Sequence, residues 1–216
     1  MSHHVVITIA RQYGSAGRAI GQHIAKKLGI DLYDKELITM SANIKEMSPD
    51  VLMSADEKAP NSLLYTLALG SSIYASNSTL SNLLPINDQL FITQSDIIKN
   101  LAKTAPCVIV GRCADYVLRE HPGRISVFLY ANTEFRKQQV IQQNNVSSTE
   151  ALDMMNKVDR RRISYYNFYT GRKWGLRENY NLSIDSSVLG IEGTADVIVE
   201  YAKIFAKKND CILPGI

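Results

Sequence analysis

The sequence predicts an α/β domain: an open, mostly parallel sheet with helices on both faces, in three layers. Three observations carry that prediction. Short β-branched or apolar runs recur along the chain, at residues 5–10, 30–33, 107–110, 125–130 and 181–185. Segments with helical apolar spacing stand between them. The run Cys107-Val108-Ile109-Val110, directly after Pro106, is apolar throughout, as expected of a strand covered on both faces. Strands separated by helices are joined by crossovers rather than hairpins, and crossovers give parallel sheets. The 216 residues suit one such domain with an insert; 45% hydrophobic against 21% charged residues excludes a disordered or collagen-like chain.

Taken in order, residues 5–10 form the first strand, and a glycine-punctuated turn follows from Arg11 to Gly17. Ile20, Ile24 and Leu28 repeat every fourth residue as one face of a helix, which Gly29 stops. Residues 30–33 form a second strand, and Asp34 can cap a helix carrying Leu37, Ile38 and Met40. No charged side chain occurs from Ala59 to Asn87, and residues 62–75 are apolar enough for a buried helix. This stretch, with the residues before it, is expected to be a helical insert over about 45–87 in a single domain of residues 1–216; its uncharged part, 59–87, is a candidate surface for self-association. Asp88 then opens a helix with Leu90, Phe91, Gln94, Ile97, Ile98 and Leu101 on one face. After the 107–110 strand, Gly111 and Arg112 turn into a helix through Tyr116 to Leu118. Thr133 begins a helix behind the 125–130 strand, Ser147 or Ser148 begins a long one, and residues 193–208 close the chain.

Composition narrows the function. The formal charge is +3, from 24 basic and 21 acidic residues, whereas a protein that lives on nucleic-acid phosphates usually needs a larger or more clustered excess. Cys107, Cys113 and Cys211 are odd in number and form no CxxC pair, which argues against a disulfide framework and a zinc site. The N-terminus lacks a basic start followed by a long apolar run, and no uncharged apolar stretch is long enough to span a bilayer. A cytoplasmic location, without membrane attachment, is the expectation.

The turn Arg11-Gln12-Tyr13-Gly14-Ser15-Ala16-Gly17-Arg18 is the most informative segment. Small residues at 14–17 allow left-handed backbone and let successive N–H groups converge on an anion at the start of the next helix. Gly14, Ser15, Ala16, Gly17 and Arg18 are therefore the candidate phosphate-binding residues. The turn resembles a P-loop but departs from GxxxxGK[ST]: Gln12 stands for the first glycine, Arg18 for the lysine and Ala19 for the hydroxyl residue that would hold magnesium. Ser15 could partly supply that hydroxyl. The structural alternative is a glycine-rich βα turn with no ligand.

Residues 159–177 read DRRRISYYNFYTGRKWGLR, with six basic residues, one acid and five aromatics. Arginines on such a stretch can fold over a transferring phosphoryl group and offset its charge. Arg162 and Arg172 lie ten positions apart, too far for one helical patch, but a helix ending near Gly171 would let them approach a ligand from two sides of a lid over about 159–178. Single-stranded nucleic acid, or a solvated basic face over an aromatic core, are the rival readings.

These residues together resemble the cytidylate kinase-like proteins of the P-loop nucleoside monophosphate kinase group. The resemblance rests on Ile9 to Arg18, Tyr33 to Leu37, Val108 to Tyr116, Val158 to Arg162, Tyr165-Tyr166, Tyr169 to Arg172 and Trp174-Gly175. It implies a P-loop NTPase-type three-layer α/β/α fold with an acceptor-nucleotide region and an arginine-rich lid. It implies ATP and Mg²⁺ as cofactors, with the ATP γ-phosphoryl group moving to a nucleoside monophosphate such as CMP. Arg18, Arg162 and Arg172 would be the catalytic arginines. Asp34 matches the acid after the second strand, near the acceptor, and Arg112 the Gly-Arg turn that meets the acceptor phosphate. Cytidylate kinases carry an acid just before that turn, where this chain has Val110. The metal ligands are therefore undefined, Asp34 and Asp115 being the nearest carboxylates. The same departures support an alternative: a nucleotide-binding pseudokinase or sensor without turnover.

Overall fold

The structure, a computed structural model, describes residues 3–34, 37, 39–41 and 85–215. Among them, five strands form one parallel sheet: β1 (Val6–Arg11), β2 (Asp31–Tyr33), β3 (Cys107–Val110), β4 (Arg124–Tyr130) and β5 (Leu182–Asp185), in the order β2-β3-β1-β4-β5. The first strand in sequence lies in the middle, with Val6 paired to Cys107 on one side and to Arg124 on the other. The helices are α1 (Gly17–Leu28), α2 (Ile86–Thr104), α3 (Ala114–Val117), α4 (Thr133–Asn144), α5 (Ser148–Thr170) and α6 (Ser186–Asn209). The three-layer α/β/α prediction therefore holds. The expected insert and its apolar helix lie outside the described residues, apart from residues 85–87 at the start of α2.

Strand alternation divides the core into two. Val5, Ile7 and Ile9 point to one face, where Ile20 and Ile24 of α1 and Ile198 and Ala202 of α6 cover them. Val6, Cys107 and Ile109 point to the other, against Ile97, Ile98 and Ala102 of α2 and Leu118 beyond α3. Burial pushes the Cys107 thiol up to about 12, so it stays protonated and inert; all three cysteines are free. No described helix is long and apolar enough to cross a membrane.

Local signals set most helix ends. Ser147 and Glu150 form a reciprocal capping box at the start of α5, Asn132 caps α4, and Gly171 ends α5 in left-handed backbone. Two boundaries differ from expectation. The α2 helix opens at Ile86, since Pro85 supplies the extended residue before it. The α6 helix opens at Ser186, where the Asp185 carboxylate accepts from Ser187 N, and is interrupted at Gly190 (φ 66°, ψ −170°) before it resumes.

Within α2, Gln94 is 1% exposed, and neither end of its amide has a hydrogen-bond partner among the described residues. Burying an unsatisfied amide costs about 1–3 kcal/mol. Gln94→Met, of similar length, is expected to raise stability by about 1 kcal/mol or more; an unchanged or lower denaturation midpoint in urea would mean that the amide is in use.

Candidate functional site

The site lies beyond the carboxyl ends of β1 and β3, where parallel sheets expose helix N-termini. After Arg11 the chain turns through Gly14 (φ 82°) and Ala16 (φ 58°) and enters α1 at Gly17. The first helical hydrogen bond is from Ile20 N to Ala16 O, so the N–H groups of Gly17, Arg18 and Ala19 open the helix ahead of it. This end of α1 favours negative charge. The two glycines are required by space: a Cβ on Gly14 would lie 2.6 Å from the Arg136 carbonyl oxygen, and one on Gly17 2.8 Å from Cγ of Arg11.

The loop is braced from beneath. Gln12 N donates to Leu129 O, and the Ser15 hydroxyl donates to Gln12 O at 2.9 Å. Ser186 Oγ donates to Ser15 O at 2.9 Å. Ser15 is fully buried with its hydroxyl turned into the loop, so as placed it does not offer the oxygen that Ala19 lacks.

The predicted residues fall into three groups. Arg18 Nη1 donates to Asp34 Oδ2 at 2.9 Å, and Arg11 Nη2 lies 3.9 Å from Asp34 Oδ1. The Asp34 side chain is 8% exposed and that of Arg18 43%, so the acid is sunk while the guanidinium reaches solvent at the mouth of the loop. Arg112 and Arg162, with Arg11, line a cleft between the ends of β1 and β3 whose aromatic wall includes Tyr166 and Trp174. Arg162 Nη1 donates to Arg11 O at 2.9 Å, and its guanidinium lies 5.8 Å from the Tyr13 ring centroid. Arg172 stands apart, its guanidinium 5.3 Å from the centre of the Tyr116 ring.

The turn after β3 is strained. Gly111, Arg112 and Cys113 are successively left-handed, at φ 79°, 57° and 52°. A non-glycine residue held there costs on the order of 1 kcal/mol or more. This geometry takes Arg112 into the protein, where it is 5% exposed.

Three features were not visible in the sequence. Arg11, the last residue of β1, joins the cleft. At the cleft floor Tyr166 donates to Asp115 Oδ2 at 2.7 Å; burial raises the Asp115 carboxyl above the usual carboxylate range, and the Tyr166 bond opposes this in part. Burial beside Asp115 also holds the Tyr166 and Tyr180 phenols protonated. Finally, Asp159, the single acid of the basic segment, contacts the loop itself.

These donors suit a polyphosphate better than a bare cation. Among the described residues no cluster of three His, Cys, Asp or Glu could hold a metal. Asp34 is engaged by arginine, Asp115 is buried with its carboxyl raised above the usual carboxylate range, and Ala19 has no side-chain oxygen. The described residues therefore do not fit a Mg²⁺ site built by the protein.

Comparison with known proteins gives the same frame. Residues 6–188 match the model of the "Cytidylate kinase-like family". The chain resembles the crystal structure of an uncharacterized protein from Eubacterium ventriosum ATCC 27560, at 25% identity and a TM-score of 0.68, over 92% of this chain and 98% of that one. It also resembles a shikimate kinase from Bacteroides thetaiotaomicron at 11% identity and a TM-score of 0.53, with the same coverage of each chain, a likeness of fold alone. No curated protein matches it.

Proposed function

This chain belongs to the cytidylate kinase-like family, and on that premise we propose that it is an ATP-dependent phosphotransferase acting on a nucleoside monophosphate, with CMP the first candidate acceptor. One observation carries the reading. The glycine loop at the start of α1 opens beside a cleft lined by Arg11, Arg112 and Arg162, so a triphosphate tail and an acceptor phosphate can be held next to each other.

In this reading the amides of residues 14–18 hold the donor phosphates, and Arg112 with Arg11 holds the acceptor phosphate. An acceptor oxygen attacks the γ-phosphorus in line; the bond from that phosphorus to the β–γ bridging oxygen breaks, and ADP leaves with the electron pair. Phosphoryl transfer of this kind asks the protein for position and charge rather than covalent chemistry. Arg162, already at the Arg11 end of the loop, faces the transferring group. Arg18 shares its charge between Asp34 and the phosphates. Arg172, just past the left-handed Gly171, closes from the acceptor side. Mg²⁺ arriving with ATP would be held by phosphate oxygens and water.

The test is ADP release with ATP and a panel of nucleoside monophosphates, with ATP affinity titrated separately. Turnover is expected, fastest with CMP. Binding of ATP without turnover by any acceptor would favour the sensor reading, which Ala19 and Val110 support. Failure to bind ATP would remove the first reading, and failure to bind either ATP or GTP would remove both.

A further inference from the structure

We propose that Arg136 and Asp159 are a positioning pair that locks the phosphate loop to the helix bearing Arg162, so that loop and arginine form one preset unit; this rests on the phosphotransferase reading. Tyr13 N donates to Asp159 Oδ1 at 2.8 Å, and Arg136 Nε donates to Tyr13 O at 2.7 Å. Arg136 Nη2 closes the ring by pairing with Asp159 Oδ2. Both peptide planes that meet at Tyr13 are thereby fixed. The second plane carries Gly14 N–H. In a trans peptide the N–H points opposite to the C=O, so holding Tyr13 O on Arg136 aims the Gly14 amide away from that guanidinium.

The surroundings leave this arrangement little freedom. The two charged side chains are 11% and 15% exposed. The backbone of α4 abuts the loop where Gly14 has no room for a Cβ. The Tyr13 ring packs against Val140, Ala151 and Met155, and its hydroxyl accepts from Asn144 Nδ2 at 3.2 Å. Three residues beyond Asp159, on the same face of α5, Arg162 holds Arg11 O. The helix thus grips the loop on both sides of Gln12. Arg162 is fixed relative to the loop before any ligand arrives, the preorganisation that makes a charged donor effective in a transition state. Any closing motion of the arginine-rich segment then starts beyond Gly171 rather than at residue 159.

Asp159→Ala, Asp159→Asn and Arg136→Lys separate this role from simple structural support. The alanine variant is expected to weaken ATP binding about tenfold and to lower kcat at least tenfold, leaving KM for the acceptor within about twofold. Asparagine still accepts from Tyr13 N and should recover most of the ATP affinity. Lysine keeps the charge but replaces the planar fork that meets Tyr13 O and Asp159 from two nitrogens with a single one, and should resemble alanine. Hydrogen exchange by mass spectrometry should show faster exchange at residues 13–16 in Asp159→Ala, with β1 and β4 unchanged. Lower melting temperatures alone, with ATP affinity, kcat and loop exchange all as in the parent protein, would overturn the proposal. If the parent protein binds no ATP, the phosphotransferase reading fails, and loop exchange still decides whether the pair holds the loop.

Discussion

Arg162→Ala is expected to lower kcat/KM for phosphoryl transfer about 100- to 1,000-fold, the roughly 3–4 kcal/mol that a preset charged or polar donor contributes to a transition state. The expectation follows from position. Arg162 Nη1 already lies 2.9 Å from Arg11 O at the base of the loop, and its side chain lines the cleft with Arg112. The loss should fall mainly on kcat. Lysine at 162 should restore only part of it, since an ammonium cannot hold Arg11 O and a phosphate oxygen as a planar fork does. Steady-state kinetics beside a thermal melt will check this. Equal kcat in Arg162→Ala and the parent protein would remove Arg162 from the mechanism.

Gly14→Ala should have the largest combined effect. The residue sits at φ 82°, and a Cβ would fall 2.6 Å from the Arg136 carbonyl oxygen. Left-handed strain and the forced displacement of α4 together should lower unfolding free energy by about 2–4 kcal/mol. The displaced loop should lose triphosphate affinity at least 100-fold. Gly29→Ala is the matched control: at φ 63°, with nothing within 4 Å of its Cβ, it should cost about 1 kcal/mol and leave nucleotide affinity unchanged. Calorimetric titration of ATP into each variant distinguishes them; similar affinities in both would show that the loop does not hold the triphosphate.

The sequence displays the frame well because the frame is written locally. Strand β3 stands at residues 107–110 because an all-apolar run after proline has few other places to go. The starts of α4 and α5 and the end of α5 follow from Asn132, Ser147 and Gly171, whose side chains or backbone act within a few residues. The glycine turn between β1 and α1 is legible for the same reason. The closing helix, expected from residue 193, starts earlier: Asp185 caps a turn at Ser186, and the break at Gly190 falls inside the element.

The site itself was harder to read. Tyr13 and Asp159 are 146 positions apart, and Arg162 and Arg11 151. No spacing rule predicts which face of a distant helix meets a loop. The basic segment looked like one lid, yet Arg162 docks on the loop while Arg172, past the turn at Gly171, reaches Tyr116. Ser15 looked like a stand-in for the missing hydroxyl until the loop's own curl enclosed it. Expectations for the uncharged residues 59–84, self-association included, lie outside the described residues.

The central place of β1 has a consequence for biosynthesis. The first described strand to leave the ribosome pairs with Cys107–Val110 and Arg124–Leu129. At about 5–20 residues per second, its apolar side chains wait roughly 5–20 s for the first of those neighbours to be made. Ser186, which braces the loop after β1, emerges later still. A nascent chain therefore carries an uncovered hydrophobic ribbon until residues 107–129 have been made, and the loop after it gains its brace only once Ser186 has been added.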